Sequence, residues 1–260
     1  MRFKSVVLSL GLLGLVGCSS LPTPPPTSPN SPGEMESNNR SAAELNTQLG
    51  VGYLQRGYRD LAVEKLERAL ELDSSYAPAH HAYALVQEML GQDALAQSHF
   101  ERALRLNPAD PEVQNNYGTF LCKRGKYDDA QQAFSRAVEV PLYATPEFAY
   151  TNSGRCYLAA GQRPEAEKAF AQALVTNGRF APALLQMAQM RLDDGDVQTA
   201  RQLMQRYEQI SQHTPASLWL ALSIDRALGD NEAYASHALI LRGKFPDSEE
   251  ARQLEGLKRR

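Results

Sequence analysis

Glycine recurs along this chain at Gly57, Gly91, Gly125, Gly161, Gly195 and Gly229, at a constant interval except for the third, which is longer by two. A turn-forming residue kept in phase over five intervals means that the chain is built from copies of one unit. The residues around each glycine share that phase. Five positions after it stand Ala62, Ala96, Ala130, Ala166 and Ala200, with Tyr234 in the last copy. Seven positions before it stand Gly50, Ala84, Gly118, Gly154 and Ala188, with Leu222 last. A small side chain on each flank lets two helix backbones approach closely, and the glycine between them permits a sharp reversal. These features predict stacked helix pairs, a helical solenoid.

The interval is about 34 residues, the period of the tetratricopeptide repeat. The copies begin at Ala43, Ala77, Pro111, Glu147, Ala181 and Pro215, each with an inner helix, a glycine turn and an outer helix. In the third outer helix Ala130, Phe134 and Ala137 recur at i, i+4 and i+7, one face of a 3.6-residue period. Pro108 and Pro246 fall where an outer helix has to stop, because proline cannot continue it. The two extra residues fall in Pro141-Leu142-Tyr143-Ala144-Thr145-Pro146, between copies three and four. The fold class is therefore all-α: a right-handed superhelical solenoid of six tetratricopeptide repeats over residues 43–250, with residues 251–260 as a C-terminal tail.

Residues 1–42 are a different kind of chain. Arg2 and Lys4 precede an apolar run from Val6 to Val16, too short to span a bilayer, which needs about 20 residues. This is the pattern of a secretory signal peptide over residues 1–17. It ends in Leu15-Val16-Gly17-Cys18, which resembles the bacterial lipobox, so Cys18 is the expected site of lipidation after cleavage. Several acyl chains there would give a stable membrane anchor, each buried methylene adding about 0.8 kcal/mol. Ser19, where an aspartate favours inner-membrane retention in such lipoproteins, implies transfer to the periplasmic leaflet of the outer membrane. Residues 18–42 carry six prolines from Pro22 to Pro32 and read as a lipidated cysteine followed by a proline-rich tether.

Charge and composition exclude several functions. The chain carries 27 Lys and Arg against 30 Asp and Glu, and loses Arg2 and Lys4 with the signal peptide. A mildly acidic protein lacks the basic face that nucleic acid requires. Cys122 and Cys156 lie on inner helices of neighbouring repeats. In an oxidising periplasm they are expected to form a disulfide, the alternative being two buried thiols. No catalytic constellation is evident, and neither a metal, a cofactor nor a small-molecule substrate is expected. His80 and His81 are adjacent on one helix, while His99, His213 and His237 are scattered and lack the i, i+4 partners of a zinc site. Asp193-Asp194-Gly195-Asp196 lacks the ligand spacing of a calcium loop and reads as a helix cap.

Some stretches go beyond the general repeat pattern. They are Asn115-Asn116-Tyr117-Gly118-Thr119-Phe120-Leu121-Cys122, Tyr143-Ala144-Thr145-Pro146, Asn152-Ser153-Gly154-Arg155-Cys156, Ser217-Leu218-Trp219-Leu220 and Phe245-Pro246-Asp247-Ser248-Glu249. With the lipobox and six repeats, they closely resemble the PilF/PilW family of type IV pilus lipoproteins from Met1 to the Phe245 stretch. The resemblance implies a pilotin, which binds subunits of the outer-membrane secretin PilQ and promotes their localisation and multimerisation for pilus assembly. The rival reading is a scaffold lipoprotein that recruits peptidoglycan enzymes, sharing the anchor, tether and groove.

A solenoid of this kind offers a groove for a partner segment. Its lining positions in the first two repeats include Val51, Leu54, Gln55, His81, Leu85 and Met89, an apolar strip with polar edges. Methionine suits adaptable recognition; the alternative reading of the same residues is packing against adjacent helices.

Overall fold

The computed structural model describes residues 32–258, which contain thirteen α-helices and no strand. Twelve of them form six antiparallel pairs, and residues from Asn39 onward make one compact unit. The pairs are α1 (Pro32–Gln55) with α2 (Arg59–Leu72), α3 (Ala77–Met89) with α4 (Asp93–Leu106), and α5 (Pro111–Lys123) with α6 (Tyr127–Glu139). Then come α7 (Pro146–Ala159) with α8 (Arg163–Thr176), α9 (Ala181–Asp193) with α10 (Val197–Glu208), and α11 (Pro215–Leu228) with α12 (Asn231–Lys244). A last helix, α13 (Glu249–Lys258), follows. The fold is a superhelical solenoid of six tetratricopeptide repeats.

Each pair turns in the same way. All six periodic glycines are left-handed, with φ between 71° and 81°. At each one the glycine N–H donates to the carbonyl three residues back, and the next N–H donates to the carbonyl five back from itself. Gly125 N–H reaches Cys122 O and Lys126 N–H reaches Leu121 O, both at 3.0 Å. This pairing closes the inner helix and satisfies carbonyls that its end would otherwise leave without partners. Helix starts follow from sequence too. Pro78, Pro111, Pro146, Pro164, Pro182 and Pro215 sit in first turns, where a missing N–H costs nothing. The Asp196 carboxylate accepts from Thr199 N–H at 3.2 Å, so the acidic run before α10 does cap a helix.

A column of large side chains from the outer helices runs through the core. Leu66, Phe100, Phe134, Phe170 and Met204 recur in the glycine phase and are all at most 2% exposed. Small residues of the inner helices make room for them. A Cβ added at Gly118 would fall 2.8 Å from Phe134 Cε1, tighter than any side chain tolerates.

Two boundaries differ from the sequence expectation. Helix α1 starts at Pro32, so residues 32–42, expected as the end of the tether, are helical. The prolines cease at Pro32, which itself suits a first helical position, and Glu34 through Ala42 contain no residue that breaks a helix. The expected tail is also helical as far as Lys258. In α13, Ala251 and Leu254 are buried against Leu218, Leu222, Ala238 and Leu241, closing the apolar edge of the last repeat. Arg242 pairs with Glu255 at 2.7 Å across that contact. The expected signal peptide, Cys18 and the tether up to residue 31 lie outside the described residues.

Candidate partner-binding groove

The C-terminal turns of the inner helices α1, α3 and α5 enclose a surface cleft of about 630 Å³. Leu54, Leu85 and Met89 supply its apolar lining, and Glu88, Asp93, Lys123 and Arg124 its charged rim. Leu54 and Leu85 are half-buried, whereas Met89 is 47% exposed. Lys123 Nζ stands 3.0 Å from Glu88 Oε1, and Arg124 pairs with Glu88 at 3.6 Å and with Asp93. The Arg124 guanidinium also lies 3.6 Å from the Phe120 ring centroid, which fixes its orientation. Lys123 and Asp93 are exposed, so their ion pairs contribute little to stability. Here they leave an apolar floor inside a rim of both signs.

The other expected groove residues are placed differently. Val51 does not line the cleft and is half-buried against the core cluster of Ala62, Leu66, Ala82, Tyr83 and Val86, which Leu54 also touches. Gln55 is exposed at the end of α1. His81 does not line the cleft. Its Nε2 accepts from Asn116 Nδ2 at 2.9 Å, its ring packs 6.1 Å from Phe100, and burial pushes its pKa down. It ties repeat two to repeat three. Asn152 Nδ2 donating to Asn115 Oδ1 at 3.0 Å makes a similar link from repeat four to repeat three.

Beside these links Cys122 of α5 and Cys156 of α7 are joined by a disulfide, with Cα atoms 5.8 Å apart. It spans the repeats on either side of the irregular connection. There Leu142 is fully exposed and adopts a left-handed backbone with φ 67°.

Two features escaped the sequence. A second cleft, of about 390 Å³, opens between the outer helices α6 and α8 over α7, lined by residues such as Val138, Tyr150, Tyr157, Lys168 and Gln172. Gln131 and Ser153 within it bond each other, the serine hydroxyl donating to Gln131 Oε1 at 2.6 Å. The histidines are not scattered either, which corrects the expectation. His80 and His99 approach Nδ1 to Nδ1 at 2.9 Å, and His213, His237 and Glu208 meet at the far end of the solenoid. Each grouping joins residues of different helices or connections, so no local motif announces it. The carboxylates of Glu208 and of the buried Asp225 raise the pKa of His237, while burial lowers that of His213.

Stacked helix pairs whose inner helices present an apolar cleft with a charged rim define a protein-binding scaffold of the tetratricopeptide class. The tetratricopeptide-repeat family matches residues 99–132 and 151–215. The type IV pilus assembly protein PilF of Pseudomonas aeruginosa is 28% identical over 99% of this chain and all of its own. Its solved structure superposes with a TM-score of 0.74 at 30% identity, covering 84% of this chain and 99% of that one. PilW, a type IV pilus biogenesis factor, superposes with a TM-score of 0.73 at 29% identity, over 82% and 97% of the two chains. The chain belongs to the PilF/PilW family of type IV pilus biogenesis proteins.

Proposed function

We propose that this protein is a pilotin: a lipoprotein anchored through Cys18 in the periplasmic leaflet of the outer membrane, which binds PilQ secretin subunits and promotes their localisation and assembly. The end-to-end similarity to PilF carries the reading, since it extends beyond the repeats to both ends of the chain. The cleft at Leu54, Leu85 and Met89 supports it. A secretin segment could bury apolar anchors on this floor while the rim charges set its register. Helix α1 begins at Pro32, so the expected tether is confined to residues 18–31, which lie outside the described residues. Work done by such a scaffold comes from binding energy and from address.

Deletion of the gene tests this reading. Heat-resistant PilQ multimers should disappear from the outer-membrane fraction and return with the wild-type chain, but not with Cys18→Ala, which leaves the protein unanchored. Intact mass of the membrane-extracted protein should show a cleaved, triacylated N-terminal cysteine. Wild-type multimer levels in the deletion strain would refute the pilotin role. An altered cell wall with normal piliation would favour recruitment of peptidoglycan enzymes instead.

A further inference from the structure

We propose that Glu208, His213 and His237 form a zinc-binding site that clips repeat five to repeat six. Glu208 ends α10, His213 lies in the connection to α11, and His237 projects from α12. One donor atom from each lies within 4.8 Å of the others. Around a tetrahedral zinc with bonds of about 2.0–2.1 Å, neighbouring ligand atoms stand about 3.3–3.5 Å apart. Glu208 Oε1 and His237 Nε2 are already 3.4 Å apart. The His213 nitrogen, within 4.8 Å of both, has only to close the remaining gap to complete the set.

The surroundings are those of a metal ligand set. His237 Nδ1 stands 2.7 Å from Oδ2 of Asp225, a fully buried carboxylate. Asp225 is itself held by Arg201 at 2.5 Å, and Arg201 reaches Asp230 at 2.8 Å. A carboxylate on the far nitrogen fixes the imidazole tautomer and aims Nε2 outward, as outer-shell groups do for metal-bound histidines. Glu208 Oε1 and His213 Nδ1 are buried and make no well-formed hydrogen bond among the described residues. Buried polar atoms are rarely left so, and each such atom calls for a partner. A proton on His237 would give Glu208 a charged neighbour yet leave His213 Nδ1 unpartnered. A metal ion serves all three atoms at once.

The donor set selects the ion. Two imidazoles and one carboxylate suit zinc and its neighbours, not calcium or magnesium, which take oxygen ligands. Water fills the fourth position. The ion would brace the connection between α10 and α11 against α12, beside the repeat that α13 covers.

The full-length chain, stripped with a chelator, is titrated with Co²⁺ as a spectroscopic stand-in for zinc. One equivalent should bind with the intense visible bands of a four-coordinate ion, zinc should displace it, and zinc should raise the thermal midpoint. His213→Ala and Glu208→Gln should each weaken binding at least about tenfold, while His99→Gln should leave it unchanged. Glu208→Gln keeps the side-chain shape and His213 lies outside the helices, so circular dichroism should report intact folds for both. Absence of stoichiometric four-coordinate binding, or wild-type affinity in both ligand variants, overturns the proposal.

Discussion

The Phe170 ring occupies the space that a side chain on Gly154 would need: a Cβ there would lie 2.6 Å from Cε1 and 2.8 Å from Cδ1. The ring is fully buried and has nowhere to withdraw. Gly154→Ala gains about 1 kcal/mol of helix propensity and meets an overpacking cost of about 1–3 kcal/mol. The backbone of α7 has to move as well, so the balance is a loss. Denaturant unfolding should show a lower midpoint for Gly154→Ala, partly restored by Phe170→Leu. An unchanged or raised midpoint would contradict this packing.

Cys122 and Cys156 close a loop whose ends have a sequence separation of 34. Such a cross-link restricts the unfolded chain, and removing it should cost about 2–4 kcal/mol. The loss should be concentrated in repeats three and four, because solenoid repeats contact only their neighbours. Hydrogen exchange of Cys122→Ser with Cys156→Ser should therefore show faster exchange in α5 to α8 than in α9 to α12. Thiol titration of the denatured, unreduced protein should find neither of these two cysteines free.

The His80–His99 contact predicts a pH dependence. Two imidazole nitrogens 2.9 Å apart share one hydrogen bond when neutral and collide when both are protonated. Burial first, and then the charge of His80, push His99 from 6.5 down to about 4, and burial also lowers His80. Tyr83 packs on the His99 ring at 4.7 Å, and Arg102 and Arg105 act on His80 in the same direction as burial. His99 therefore charges more readily in the unfolded chain. Its contribution to stability is complete above about 6.5, is withdrawn as pH falls toward about 4, and changes no further below that. Between pH 7.5 and 4.5 the unfolding midpoint of the wild type should drop more than that of His99→Gln. Equal drops would mean that His99 does not titrate in this way.

What the sequence disclosed was what repeats. Gly57 to Gly229 mark six turns because only one backbone geometry closes them, and the column from Leu66 to Met204 follows from the same phase. The helical stretch before Ala43 and helix α13 fall outside the period, so the repeat phase does not reach them. Among the described side chains of α13, Ala251 and Leu254 are the buried ones, on a short polar segment. His213 and His237 escaped for a related reason. A metal pair legible in sequence stands at i and i+4, whereas stacking joins residues far apart in sequence on different elements. In the groove, the lining positions of the repeat point to Leu54, Leu85 and Met89, but position in the repeat does not tell them from His81, whose side chain bonds Asn116.

The groove makes the last prediction. Met89 is exposed in the cleft, so a negative charge there spoils an apolar contact without disrupting the core. Leu54 is half-buried and also packs against the core cluster of Ala62, Leu66, Ala82, Tyr83 and Val86, so its variant is read together with its helicity. If a secretin segment binds here, Met89→Glu and Leu54→Glu should each weaken PilQ capture by at least about tenfold, since a few buried anchors dominate such interfaces. Heat-resistant multimers should fall with it, while circular dichroism keeps the wild-type helicity. Ser223 bonds the Trp219 carbonyl, and Arg226 lies over Tyr234 at the opposite end of the array. Ser223→Glu and Arg226→Glu should then leave multimer levels near wild type. The reverse pattern, with loss only from the repeat-six variants, would move the binding surface to the other end while leaving the pilotin role intact.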